Sequence, residues 1–176
     1  MLEYYDQRAD EYDQWYLRQG RYDTPELNDA WRHDVRWLDA LVDGFAARHA
    51  GRRVLELACG TGSWTARVAP ACHLVATDHS PQMLGHARRR LSRAGATARW
   101  VRADGYRLPF GPATFDAAYA GFFMSHVPSS YVPTLLDEVR RVLRPGGELL
   151  LFDGRRASRA AGSVPAAGNS PGQQRP

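Results

Sequence analysis

A mostly parallel α/β sheet flanked by helices is what this 176-residue sequence predicts, on three observations. Short apolar runs of strand length recur at 54–57, 73–77, 98–103, 115–120 and 149–152, with helix-spaced stretches among them. The first run breaks into a glycine turn, Cys59-Gly60-Thr61-Gly62, just before a new helical stretch. Acids stand at the carboxyl tips of the first three runs: Glu56, Asp78 and Asp104. Strands alternating with helices build a parallel sheet, and the crevice beyond its carboxyl ends is where nucleotide-like ligands bind. The expected architecture is therefore Rossmann-like.

Taken in order, residues 2–20 place Tyr5, Tyr12, Trp15 and Tyr16 at helical steps, and Gly20 with Thr24-Pro25 interrupts that helix. A longer helix is expected over 26–49, with Leu27, Trp31, Val35, Leu38, Leu41 and Val42 as its apolar stripe and Ala50-Gly51 as its stop. After the glycine turn, 64–69 reads as one short helix ended by Pro70. Ser80-Pro81 opens the next helix, the serine as cap and the proline in the first turn. A last helix runs over 131–143, with Arg140 and Arg141 late in it and Arg144 just past its end, where the helix dipole favours cations.

Composition narrows the partners. The hydrophobic fraction of 44% is ordinary for a soluble domain, and the length suits one domain with a sizeable core. No window is apolar for the length of a membrane span and the start is not a signal peptide, so a cytoplasmic location with no membrane partner is expected. The formal charge of +4 comes from arginine alone, since the chain has no lysine. Arg155, Arg156, Arg159 and Arg175 in the last segment account for all of it, leaving a near-neutral body. The cluster Arg88-Arg89-Arg90 with Arg93 reads as a solvated helix face, so no nucleic-acid partner is expected. Cys59 and Cys72 have no metal-ligand spacing, and no metal site is expected.

The ligand follows from the loops. A dinucleotide-binding loop wants G-x-G-x-x-G, but Thr65 stands where its third glycine belongs. Asp78 follows the turn at close to the ~20-residue separation of a ribose-binding acid, and one carboxylate can take both vicinal hydroxyls of a ribose. Glu56, Ala58, Gly60 and Gly62 resemble the E/D-x-G/A-x-G-x-G motif of class I S-adenosylmethionine-dependent methyltransferases. The stretches 78–84, 104–110 and 143–147 resemble that family's D-x-S-x-x-M-L, D-A-x-x-L-P-F and L-x-P-G-G. The resemblance over 104–110 implies that Asp104 accepts from an adenine exocyclic amine while the Gly105 N–H meets a ring nitrogen. The stretch 5–13 is similar to the Y-D-x-R-A-x-E-Y-D start of its small-molecule members.

What the resemblance implies is a methyl transfer from S-adenosylmethionine to a small molecule by in-line displacement. It implies cofactor contacts at Tyr12, Glu56, Ala58, Cys59, Gly60, Thr61, Gly62, Asp78, His79, Met83, Asp104, Gly105 and Gly121. It also divides the chain into an N-terminal helical cap (1–50) and a cofactor-binding core (51–153), while composition alone makes 154–176 an Arg/Gly/Pro/Ser-rich disordered tail. His126 is the candidate for taking a proton from the acceptor, because histidine titrates in the right range; the alternative is an ordinary polar loop residue.

The chain departs from that family after Asp153. Strands six and seven of the usual seven have no counterpart, so a truncated or frame-shifted sequence with strands one to five is expected. The fifth strand then becomes an edge, with self-association through it as the consequence. Two other functions compete: an inactive methyltransferase-like protein with little cofactor binding, and an NAD(P)-dependent oxidoreductase, which Thr65 disfavours.

Overall fold

The computed structural model describes Gln14 and residues 18–154. Apart from Gln14 and residues 18–20, the helix expected over 2–20 lies outside the described residues, as do Tyr12 and the tail beyond Gly154. A 3-10 turn at Gly20–Tyr22 leads into helix α1, Pro25–Arg48, which Pro25 opens at its first turn. Then follow β1 (Arg53–Glu56), the short α2 (Thr65–Val68), β2 (His73–Asp78), α3 (Pro81–Arg93) and β3 (Arg99–Arg102). After β4 (Phe115–Gly121) come 3-10 turns at Met124–His126 and Ser129–Tyr131, then α4 (Val132–Val142) and β5 (Leu143–Phe152).

The five strands form one sheet in the order β3-β2-β1-β4-β5, every neighbouring pair parallel. This is the Rossmann-like arrangement the alternation predicts. The central strands are buried over most of their length because helices or loops cover both faces, whereas β3 at the margin is only half-buried. From β1 the chain winds one way through β2 to β3, and from β4 it winds the other way to β5. The strand order thus reverses between β1 and β4, and a crevice opens beyond their carboxyl ends.

Two hydrophobic layers hold the sheet. On one face Val42 and Phe45 of α1 and Leu91 of α3 pack on Val54, Leu74 and Tyr119. On the other, Val139 and Val142 of α4 pack on Leu55, Val75 and Phe115. The described half of the expected cap, α1, is thus built into the sheet's own core. Phe45 meets Tyr119 edge-on at 5.6 Å, and Arg48 and His49 both reach Glu148 on β5, at 2.7 and 2.9 Å.

The fifth strand is longer than the apolar run 149–152 and takes in the L-x-P-G-G segment. Pairing begins already at Leu143, opposite Phe115, and resumes at Glu148 opposite Ala117, so Arg144–Gly147 bulge out of β5. Two glycines make this possible. Gly146 has a φ of 79°, and a side chain on Gly147 would press on the Arg144 and Asp116 carbonyls at 2.9 and 3.0 Å. Among the described residues β5 pairs on one side only, with β4, and so forms an edge of the sheet.

Candidate active site

The crevice at the switch point is a cleft of about 340 Å³, a size suited to a small ligand. Its walls come from the loops after β1, β2, β3 and β4. Of the expected cofactor contacts, Ala58, Gly60, Asp78, His79, Met83, Asp104, Gly105 and Gly121 line it, and so does His126.

Asp78 organises this cleft. Its Oδ2 accepts from the Gly60 N–H and its Oδ1 from the Ser80 N–H, both at 2.9 Å. Ser80 in turn caps α3, its Oγ accepting from the Met83 N–H at 3.1 Å. Burial pushes the Asp78 carboxyl up, and the N–H groups of Ser80, Gly60 and His79 oppose that. A carboxylate offers about four lone-pair sites, so acceptor capacity remains for a ligand's donors.

Glu56, Cys59, Thr61 and Gly62 are placed differently. They are not among the cleft-lining residues, and Glu56, Cys59 and Thr61 are buried. Glu56 is fully buried and accepts from the Thr65 hydroxyl at 2.5 Å, tying β1 to α2. Burial lifts its carboxyl to about 8, more than the bond from Thr65 lowers it. The Tyr119 hydroxyl, buried as well, is coupled to the same carboxyl without a well-formed hydrogen bond. The Cys59 thiol is pushed up by burial, which leaves it unreactive at neutral pH. Gly62 packs the turn onto α3: a Cβ there would lie 2.8 Å from both Cα and Cβ of Ala87.

Ala58 and Phe122, at the two sides of the switch point, both hold left-handed backbones, with φ of 49° and 54°. Such angles in non-glycine residues concentrate at functional sites. Gly121 is a glycine because any Cβ would overlap the Phe152 ring. That ring, Trp31 of α1 and Trp64 all pack around Phe122, at centroid distances of 6.0, 6.2 and 6.5 Å. Across the cleft the Asp104 carboxylate accepts from the Tyr106 N–H at 3.0 Å, and its carbonyl accepts from the Arg107 N–H at 3.0 Å. His126 closes its 3-10 turn, which Asp153 anchors by accepting from the Ser125 N–H at 2.6 Å.

Leu57, Thr77, Ser80, Ala103, Tyr106, Phe122 and Phe123 also line the cleft and were not expected there. Tyr106 directly follows Gly105, and the two phenylalanines directly follow Gly121, so adjacency to an expected contact was the available signal.

A glycine turn and two acids, Asp78 and Asp104, around a switch-point cleft define an α/β protein built for a nucleotide-like cofactor. More narrowly, the chain belongs to the methyltransferase-domain family, which matches residues 54–147, and so to the class I S-adenosylmethionine-dependent methyltransferases. The demethylmenaquinone methyltransferase of Thermus thermophilus is 35% identical over 136 residues, 76% of this chain and 60% of the relative. The ubiquinone/menaquinone biosynthesis C-methyltransferase of Paracoccus denitrificans is 36% identical over 141 residues, 76% of this chain and 54% of the relative. The chain therefore spans little more than half the length of these relatives. Among solved structures, DhpI in complex with SAM and HEP superposes with a TM-score of 0.65 at 27% identity, over 90% of this chain and 66% of that one. The cyclase SpnF superposes at 0.63 with 26% identity, over 73% of this chain and 50% of that one. Among the described residues no helix is long and apolar enough to cross a membrane.

Proposed function

We propose that this chain binds S-adenosylmethionine in the switch-point cleft and serves methyl transfer to a small molecule. The observation that carries the reading is the Asp78 carboxylate, fixed by the Gly60 and Ser80 N–H groups at the tip of β2 with acceptor capacity left over. That capacity suits the two hydroxyls of a ribose. Asp104 and Gly105 on the facing loop suit the edge of an adenine, with Met83 as an apolar surface beside it. Bound there, S-adenosylmethionine supplies an activated methyl group on a sulfonium centre. The protein's own task is then alignment and exclusion of water, since holding two reactants in line removes most of the entropic barrier.

The acceptor we propose is a small hydroxylated aromatic ring, and the transfer a C-methylation, in line with the names of the Thermus and Paracoccus relatives. Tyr106, Phe122 and Phe123 supply aromatic wall for a planar ring, and His126 stands in the same cleft to accept a proton. Incubation with methyl-labelled S-adenosylmethionine and a reduced demethylated quinone tests this. Label on ring carbon, lost in His126→Ala, supports both assignments. A protein that binds cofactor yet labels no ring acceptor contradicts the acceptor class.

A further inference from the structure

Helix α4 never reaches the cleft, yet it holds the loop that does. Three of its residues, Leu135, Glu138 and Arg141, recur at three-residue steps and so share one face of the helix. Each meets the 104–110 loop. A Cβ on Gly105 would sit 3.2 Å from Leu135 Cδ1, so the loop rests directly on that side chain. Glu138 Oε1 accepts from the Leu108 N–H at 2.7 Å. Arg141 donates from Nη1 to the Phe110 carbonyl at 2.7 Å and from Nη2 to the Leu108 carbonyl at 3.1 Å. The guanidinium also grips Glu138 in a two-pronged pair, Nε to Oε2 at 2.8 Å and Nη2 to Oε1 at 2.6 Å. Both peptide groups of Leu108 are thereby tied to one ion pair, while its side chain is buried in the core.

We infer that Glu138 and Arg141 are positioning residues which, through the Leu108 and Phe110 backbone, set where Asp104 and Gly105 present their groups to the cofactor's base. The inference rests on the cofactor reading above. The loop lacks regular secondary structure, and its own bonds are short-range: Tyr106 and Arg107 to Asp104, and the Phe110 N–H to the Leu108 carbonyl at 2.8 Å. The ion pair sets the loop's height over the cleft. The guanidinium makes four hydrogen bonds here, two to the carboxylate and one to each carbonyl, and an ammonium has only three donors and no flat fork, so lysine is no substitute at 141. A base reader displaced by a fraction of an ångström loses directional hydrogen bonds first and apolar contact last. Discrimination between bases therefore suffers more than overall stability does.

The test is calorimetric titration of wild type, Arg141→Ala, Arg141→Lys and Glu138→Gln with S-adenosylhomocysteine and with S-inosylhomocysteine, whose ring carries an oxygen in place of the exocyclic amine. Folding of each variant is checked by circular dichroism, and Glu138→Gln, which keeps shape and an acceptor, stands in if Arg141→Ala does not fold. Wild type is expected to prefer the adenosyl ligand. Arg141→Ala and Arg141→Lys are expected to lose about tenfold or more of that affinity, the effect of losing a charged hydrogen bond, with the preference falling toward unity. Wild type that binds neither ligand overturns the cofactor reading itself. Wild type that binds, with folded variants of unchanged affinity and preference, overturns this inference alone.

Discussion

The Gly60 amide and the Asp78 carboxylate meet at 2.9 Å, which joins the turn after β1 to the tip of β2. The turn is thus held in shape by the same side chain that we propose binds the cofactor. Asp78→Asn sets an amide NH₂ against one of the two backbone donors, Gly60 or Ser80. Urea unfolding at pH 7 is expected to show a loss of about 1–3 kcal/mol, the usual penalty for a mismatched buried hydrogen bond. Unchanged stability would show that the turn stands without Asp78.

Glu56 makes stability depend on pH in a definite direction. Its folded carboxyl is lifted from the ordinary 4.5 to about 8, so between those values the folded state holds a proton that the unfolded state has lost. The contribution is full below pH 4.5 and is lost as pH rises through 8. Wild type is expected to lose on the order of a few kcal/mol relative to Glu56→Gln between pH 5 and pH 8. Parallel stability curves for the two proteins would contradict the buried, protonated carboxyl.

Gly62 is the tightest point of the turn. Gly62→Ala forces a Cβ to 2.8 Å from the Ala87 Cα and Cβ, at a φ of 83° that alanine disfavours. Overpacking and backbone strain together are expected to cost about 2–4 kcal/mol. Adding Ala87→Gly should recover part of that loss, because it removes one of the two clashing atoms. Purely additive losses in the double variant would show that the two residues do not touch.

Ala58 stores strain of the opposite kind. It holds a φ of 49° without being a glycine. Ala58→Gly relieves about 1–2 kcal/mol of left-handed strain against an unfolded-state entropy penalty of about 0.4–1 kcal/mol. A net gain of about 0.5–1 kcal/mol in thermal or urea unfolding is expected. A destabilised variant would mean the alanine methyl makes a contact that outweighs its backbone angle.

The sheet was legible because its signals are local. Apolar runs ending in Glu56, Asp78 and Asp104 mark strand tips, and Ser80-Pro81 marks a helix start in the sequence alone. Asp78, Met83, Asp104 and Gly105 could be placed in the cleft for the same reason. What escaped depends on which way a residue faces. Glu56 stands at a strand tip, yet it turns inward to Thr65, which periodicity over four residues cannot foretell. Gly62 is explained by Ala87 on another element, and Phe122 by rings from Trp31, Trp64 and Phe152. The 144–147 bulge reads as a turn because proline and glycine signal only a break, and only the register with β4 shows pairing on both sides of it.

The cofactor cleft is the centre of the account, and calorimetric titration with S-adenosylhomocysteine of wild type beside Asp78→Ala tests it most directly. Binding in the micromolar range by wild type, weakened about a hundredfold or more in the variant by loss of charged hydrogen bonds to two hydroxyls, is the predicted result. No binding by folded wild-type protein, or equal binding by the two, would contradict it.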